Sequence, residues 1–468
     1  MRSLGIFWCQ IMTHGWLDPV FGVDIFGQMK FAGSLVLGLC ASVAWAGDLP
    51  APVVDADFVA VDVAEARLGQ LLFYDRVLSG NRNIACATCH HPELGTSDGV
   101  SLALGEGGVG LGPFRVVDPK NPPEARIPRN APGLWNLGAR EFTVLFHDGR
   151  IAADAARPGG IRTPLDADMT LGFSGVLSAQ TMFPVLSPDE MAGHYSENDV
   201  AQAVRQGRIT GAGGAWDIIA GRVAAIPEYG AMFRVAYPEI ADGRPIGFTD
   251  ISNAIAAFMA FEWRSDDSLF DGFLRGEALY DKAARGMEVF YGEGGCAGCH
   301  AGAFQTDHGF HAMGVAQFGP GKALKFESHA RDEGRMEVTG RAEDAYRFRT
   351  PSLRNVTLTA PYGHSGAYPD LRGFLSAHVD PGAALVGYDR GLAVLPELGG
   401  VEDWWVLDDP DEVALIGAAI EGQVVPLSQD EIDDLLAFLD ALTGVTARVG
   451  RLGVPEAVPS GLPVDRVH

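Results

Sequence analysis

The sequence predicts a mainly α-helical chain made of two similar halves with long loop insertions, and three observations carry that prediction. Two C-x-x-C-H pentapeptides, CATCH (86–90) and CAGCH (296–300), stand far apart in the chain. Each follows a near-copy of one pattern, GQLLFY (69–74) and GMEVFY (286–291), both reading G-x-x-Φ-F-Y with Φ apolar. The other periodic segments space their apolar residues for helices rather than strands.

Helical spacing is clearest at Ala64, Leu68, Leu71 and Leu72 before the first pentapeptide, and at Ala283, Met287 and Phe290 before the second. ISNAIAAFMAFEW (251–263) continues the pattern. EIDDLLAFLDALTG (431–444) closes it, opened by Ser428 with Glu431 at capping-box spacing. Few segments alternate as strands do. The 60 glycines and 28 prolines mark many loops between the helices.

Bulk composition narrows the partners. The chain has 468 residues, 47% of them hydrophobic, enough for cores in two domains. Its formal charge of −25 comes from 60 acidic against 35 basic residues. Such a field repels nucleic acid and anionic lipid and favours basic partners.

The N-terminus reads as an export signal. From Met29 the chain carries one lysine, an apolar run from Phe31 to Val43, and then Ala44-Trp45-Ala46. Cleavage after Ala46 is expected, with residues 1–28 an extension ahead of the true start. The run falls short of the roughly 20 residues of a membrane span, so no stable membrane insertion is expected. Leu39 precedes Cys40 where a lipoprotein has a small residue. The working chain then starts at Gly47 in the periplasm and keeps Cys86, Cys89, Cys296 and Cys299.

Four cysteines in an exported protein ordinarily suggest two disulfides, and four thiols also suit a structural zinc. Neither explains why His follows each pair directly. Covalent haem does: two thiols add across the two vinyl groups, and the next residue sets an imidazole under the iron. The motifs therefore predict two covalent c-type haems, with His90 and His300 as proximal ligands. Two cytochrome c-like domains follow, 47–268 and 269–468, with a boundary near SDDSLFDG (265–272).

With these motifs in place, the chain resembles the bacterial dihaem cytochrome c peroxidase family, which includes the MauG-type protein-oxidising enzymes. The first half is similar through CATCHHPELGTSDG (86–99), RNAPGLWN (129–136), FHDGR (146–150) and LSAQTMFPVLSPDEM (177–191). The second is similar through CAGCHAGAFQTDHGFHAMGV (296–315), FRTPSLRNVTLTAPYGHSG (348–366) and EIDDLLAFLDALTG. The resemblance implies a haem-dependent oxidoreductase. Peroxide reacts at the N-terminal haem, and electrons pass through the C-terminal haem from a small periplasmic cytochrome c or cupredoxin. It also implies that Gln180, Pro184 and Glu190 are distal residues of the reactive haem. Peroxide O–O cleavage needs a proton moved from the inner to the outer oxygen, which a carboxylate can do while an amide orients the substrate. Read without the resemblance, Glu190 is an ordinary helix-start residue behind Ser187.

Two departures from the family's pattern concern the reactive half. Where members that need reductive activation carry a ligating His in a G-H-G stretch, ALGEGGVG (103–110) has Glu106. A carboxylate replaces imidazole poorly on haem iron, so this haem is expected to be open at rest, as in the MauG-type branch. Where the family reads F-W-D-G-R, with Trp as the stepping stone between haems, this chain has His147. Imidazole is harder to oxidise than indole, which leaves His147 to bond a propionate or an ordered water.

In the second half, the resemblance puts the sixth haem ligand fourteen positions after His364, at His378 in LRGFLSAHV (371–379). Met313, Met336 and His311 are the alternatives. It also implies one calcium ion held by Asn130, Thr359 and Pro361, a set of oxygen donors suited to a hard cation. Three insertions, 112–128, 157–175 and 386–417, set the chain apart, the last containing Trp404-Trp405. The rival readings are a MauG-like enzyme oxidising a residue of a protein substrate, and a dihaem electron carrier without peroxide chemistry.

Overall fold

The computed structural model describes residues 49–322 and 329–467; the leader expected over 1–46 lies outside them. As expected, the fold is mainly α, and its strands are two or three residues long. Three small antiparallel sheets punctuate the loops: β1 (Gly108–Val109) with β2 (Val116–Val117); β3 (Val144–Leu145), β4 (Ile151–Ala153) and β5 (Ile161–Arg162); and β6 (Phe310–His311) with β7 (Phe348–Arg349).

Two helix pairs form the frame. Helix Val63–Tyr74 packs on Phe248–Glu262, and helix Asp281–Tyr291 packs on Gln429–Ala441. The glycine that opens each G-x-x-Φ-F-Y pattern is the crossing point. A Cβ on Gly69 would lie 1.8 Å from the Ala254 carbonyl oxygen, and one on Gly286 would lie 1.8 Å from that of Asp434. Only a residue without a side chain lets the backbones approach this closely. The aromatic pair that ends each pattern then packs one turn further along the partner helix. Phe73 and Tyr74 meet Phe258 at centroid distances of 5.4 and 6.2 Å, and Phe290 and Tyr291 meet Phe438 at 5.1 and 6.1 Å. The capping box expected at Ser428 is formed, with its hydroxyl donating to Glu431 at 2.7 Å.

The duplication continues into two loops that share P-x-L-x-N. Asn136 and Asn355 both adopt left-handed φ, +59° and +62°. Their backbone N–H groups donate to the carbonyls of Trp263 and Leu442, just beyond the ends of the two partner helices. Asparagine tolerates this conformation, and its amide can bond the chain alongside.

Buried apolar residues fall into three clusters. The first runs from Val53 to Trp263 and adds Phe304, Ala447 and Val458; the second runs from Phe270 to Leu442. After Gly444 the chain returns to the first half, where Asp465 accepts from Arg76 and Thr88, and Glu262 accepts from the backbone of 451–453. In the third cluster the 386–417 insertion packs, through Val406 and Ile416, on residues such as Phe318, Tyr346 and Tyr368. Trp404 packs on Phe318 at 5.3 Å there, as a loop anchor.

Candidate functional site

Among the described residues, no disulfide joins the four motif cysteines, and no cluster of ligand-type side chains brings cysteines of the two motifs together.

The two motif histidines are set up alike. His90 Nδ1 lies 2.9 Å from the Thr96 carbonyl, and His300 Nδ1 lies 3.1 Å from that of Gln305. A carbonyl only accepts, so each ring carries its proton on Nδ1 and leaves the Nε2 lone pair for a metal. Burial keeps both imidazoles neutral; it pushes His300 down to about 4, helped by the neighbouring His378. Thr96 and Gln305 present their carbonyls from left-handed conformations, φ +62° and +48°.

His378 sits in helix Leu371–Val379, and its Nδ1 is 3.0 Å from the Phe374 carbonyl one turn back, which leaves its Nε2 free as well. His300 and His378 line one cavity of about 460 Å3, together with Cys296 and Cys299. Met313 and His311 line it too, whereas Met336 does not. His311 is held by Asp307 at 2.9 Å.

Features of this cavity fit a haem with its propionates. Arg349 is half-buried on the cavity wall and, among the described residues, its guanidinium bonds the carbonyls of Phe146 and Thr350 but no carboxylate; desolvation pushes it down to about 10. His364 Nε2 and Trp135 Nε1 are buried on the cavity wall without a hydrogen-bond partner. A desolvated cation and orphaned polar atoms are costly unless a ligand satisfies them.

The expected distal residues of the first site lie on consecutive short turns: Gln180–Met182, Pro184–Leu186 and Pro188–Ala192. The last is a wide turn closed by Ala192 N–H donating to the Ser187 carbonyl at 2.9 Å, a geometry common at functional sites. Burial raises the Glu190 carboxyl above its ordinary value, against the opposing charges of Arg150 and Lys322. Arg150 lies 4.2 Å over the Phe146 ring, which meets Phe183 edge-on at 5.4 Å. Gln180 reaches the wall of the large cavity, whereas Glu190 does not line it.

Glu106 is buried beside this turn, its N–H donating to the Asp189 carbonyl at 2.9 Å. Asn81, Asn83 and Asn121 donate to its carboxylate. His194 is surrounded by Asp189, Glu197 and Glu124.

His147 faces the large cavity. Its Nε2 is 3.2 Å from the Asn130 carbonyl, so that nitrogen carries the proton and serves the main chain. Burial, with Arg129 and His364 nearby, pushes its pKa down to about 3. Asn130, Thr359 and Pro361 are brought to the same wall, and the Asn130 amide also donates to the Val100 carbonyl.

Sequence reading missed the charges between the sites. Arg129 donates to Asp332 through Nε and Nη2, at 2.6 and 2.7 Å, and to Asp148 at 2.5 Å. This pairing holds Asp332 well below the usual carboxylate range. Arg129, Asp148, Arg150 and Arg349 all lie inside the quoted motifs, but a motif does not say which of its charged residues fold inward.

A family model described as di-haem cytochrome c peroxidase matches residues 63–279. The methylamine utilization protein MauG of Methylorubrum extorquens is 30% identical over 319 residues, 67% of this chain and 68% of that protein. Cytochrome c551 peroxidase of Pseudomonas aeruginosa is 26% identical over 435 residues, 90% of this chain and 94% of that protein. Among solved structures, a MauG-like protein associated with microbial copper homeostasis aligns with TM-score 0.56 at 26% identity, covering 86% of this chain and 95% of that one. The diheme peroxidase BthA of Burkholderia thailandensis shares the fold, with TM-score 0.52 at 20% identity over 89% of this chain and 94% of its own.

Proposed function

The chain belongs to the di-haem cytochrome c peroxidase family, and from that premise we propose that it is an exported peroxidase reducing hydrogen peroxide at the His90 site. Electrons arrive through the His300/His378 site from a small periplasmic cytochrome c or cupredoxin. The observation that carries this reading is the half-buried Glu190 on its wide turn, its carboxyl raised above the ordinary value against the charges of Arg150 and Lys322.

Haem c bound at the two motifs supplies the redox-active iron. The chain's residues do the rest. His90 presents Nε2 because Thr96 holds its other nitrogen. Gln180 orients the peroxide. Glu190 takes the proton from the inner oxygen and returns it to the outer one, a transfer worth about 10²–10⁴-fold in rate. Each turnover consumes two electrons and two protons and yields two waters. Asn130, Thr359 and Pro361, which share one cavity wall, would hold a calcium ion through their oxygens. The domains are those delimited by 47–268 and 269–468, with the tail after Gly444 strapped over the first. Export through the leader beginning at Met29 suits thioether assembly. Among the described residues no helix is long and apolar enough to cross a membrane.

A MauG-like oxidation of a protein partner is the second reading. Glu106 favours it, because three asparagines take up its carboxylate, so it would not serve as a haem ligand. Mixing the diferric holoprotein with stoichiometric peroxide, with and without reduced cytochrome c, separates the readings. Fast peroxide-dependent donor oxidation supports the peroxidase, and a long-lived oxidised species without donor turnover supports protein oxidation. A Soret band that ignores peroxide leaves only an electron carrier. His378→Ala is expected to turn the second haem high-spin; an unchanged low-spin spectrum would transfer the ligand role to Met313 or His311.

A further inference from the structure

We propose that Trp135 is a one-electron relay between the two haem sites, in the role that His147 cannot fill. The proposal rests on the peroxidase reading for its physiological oxidant.

Position is the first argument. Leu134 N–H donates to Thr96 Oγ1 at 2.8 Å, and the carbonyl of that same Thr96 holds His90 Nδ1. The residue after Leu134 is therefore fixed to the loop that aims the first proximal histidine. Its indole, 5% exposed, belongs to the apolar cluster against which Cys86 and Cys89 pack. The same side chain lines the cavity bounded by Cys296, Cys299 and His300. One oxidisable ring thus follows the residue tied to the first site's histidine loop and lines the cavity of the second.

The second argument is the cost of an indole here. Its Nε1–H points to the cavity wall and has no protein acceptor among the described residues, so only a bound group can satisfy it. A residue needed only for packing fills the space as Phe or Leu with no donor to satisfy. The duplicated loop makes the contrast internal: P-x-L-x-N carries Arg354 at the equivalent position, bonded to Asp271 and the Ala303 carbonyl. His147 is a poor rival. It is a neutral imidazole whose proton serves the Asn130 carbonyl, and imidazole is harder to oxidise than indole.

The step balances. Reduction of peroxide to two waters leaves the first site short of two electrons. Trp135 gives up one and becomes a radical cation. An electron from the second site restores the indole, and a second passage supplies the other equivalent.

The test uses the diferric holoprotein and Trp135→Phe, both checked for full haem content and unchanged resting spectra. Each is oxidised in two ways: by stoichiometric peroxide, and without peroxide by flash-quench with a photosensitiser. Freeze-quenched electron paramagnetic resonance should show an organic radical that narrows with ring-deuterated tryptophan and is absent from Trp135→Phe. Oxidation of the second haem should slow by about tenfold or more in the variant. Adding His147→Trp to it should restore the rate. If Trp135→Phe loads haem poorly, Trp135→Tyr keeps an oxidisable ring, and the radical should become a tyrosyl one. An identical radical and an identical inter-haem rate in the substituted protein overturn the proposal. A wild-type protein inert to peroxide that still forms the radical under flash-quench sinks the peroxidase reading and leaves the relay standing.

Discussion

The two halves share a scaffold and differ in what they place on it. In each, a glycine seats one helix on another, an aromatic pair packs beyond it, and a C-x-x-C-H turn ends in a histidine whose Nδ1 bonds a left-handed residue's carbonyl. In each, a P-x-L-x-N loop ties back to the end of the partner helix. The divergence begins on the far side of the expected haem. The first half offers Gln180 and a half-buried glutamate on a wide turn, which suits proton transfer to a small substrate. The second offers His378 from a helix, which suits a closed, electron-carrying iron. Even within the shared loop, Trp135 stands opposite Arg354. Duplication kept the parts that hold a cofactor, and specialisation fell on short segments that face it.

The comparison breaks most visibly at Glu190. Glu190→Gln should lower the rate of peroxide cleavage by about 10²–10⁴-fold while leaving the spectrum of the second haem unchanged. The sign of the pH dependence follows from its raised pKa. The carboxylate must be unprotonated to accept the peroxide proton, so activity should fall with decreasing pH from a point above 4.5. Stopped-flow rates across pH check this, and the acid limb should vanish in the variant.

Next in size is the contrast between Arg354 and Trp135. Arg354 and Asp271 form an ion pair only 1% and 0% exposed. Arg354→Ala should destabilise the protein by about 3–5 kcal/mol, because it strands a buried charge. Denaturant unfolding measures that loss, and a change below 1 kcal/mol (about the worth of a surface pair) would show the pair to be dispensable. The shared frame is tested by Gly69→Ala and Gly286→Ala. Each forces a methyl against a carbonyl and should cost roughly 1–3 kcal/mol; a large loss in one alone would mean that the crossings are not equivalent. Smallest, Ser428→Ala removes a helix cap that the first pair's partner helix lacks, since Gly247 stands there. It should cost about 1 kcal/mol, seen as a modest fall in Tm.

Much of this was legible early, for a local reason. The C-x-x-C-H pairs, the G-x-x-Φ-F-Y echo and the Ser428–Glu431 cap are set by residues a turn or two apart, and such spacings are fixed by helix geometry alone. The repeat of P-x-L-x-N also lay in plain view, in RNAPGLWN and FRTPSLRN, yet its meaning did not. Two asparagines at left-handed φ reveal themselves only through the carbonyls they meet.

What the sequence determined by itself, then, was the helical class and the two C-x-x-C-H turns with the expectation of a haem at each, because each rests on short-range covalent or helical spacing. What only the tertiary structure decided was which charges fold inward and which aromatic ring lines the second site's cavity. Arg349 without a carboxylate, Glu106 tied to three asparagines and Trp135 on the cavity wall depend on contacts between separate segments of the chain. Burial and desolvation arise from such contacts, and no spacing along the sequence encodes them.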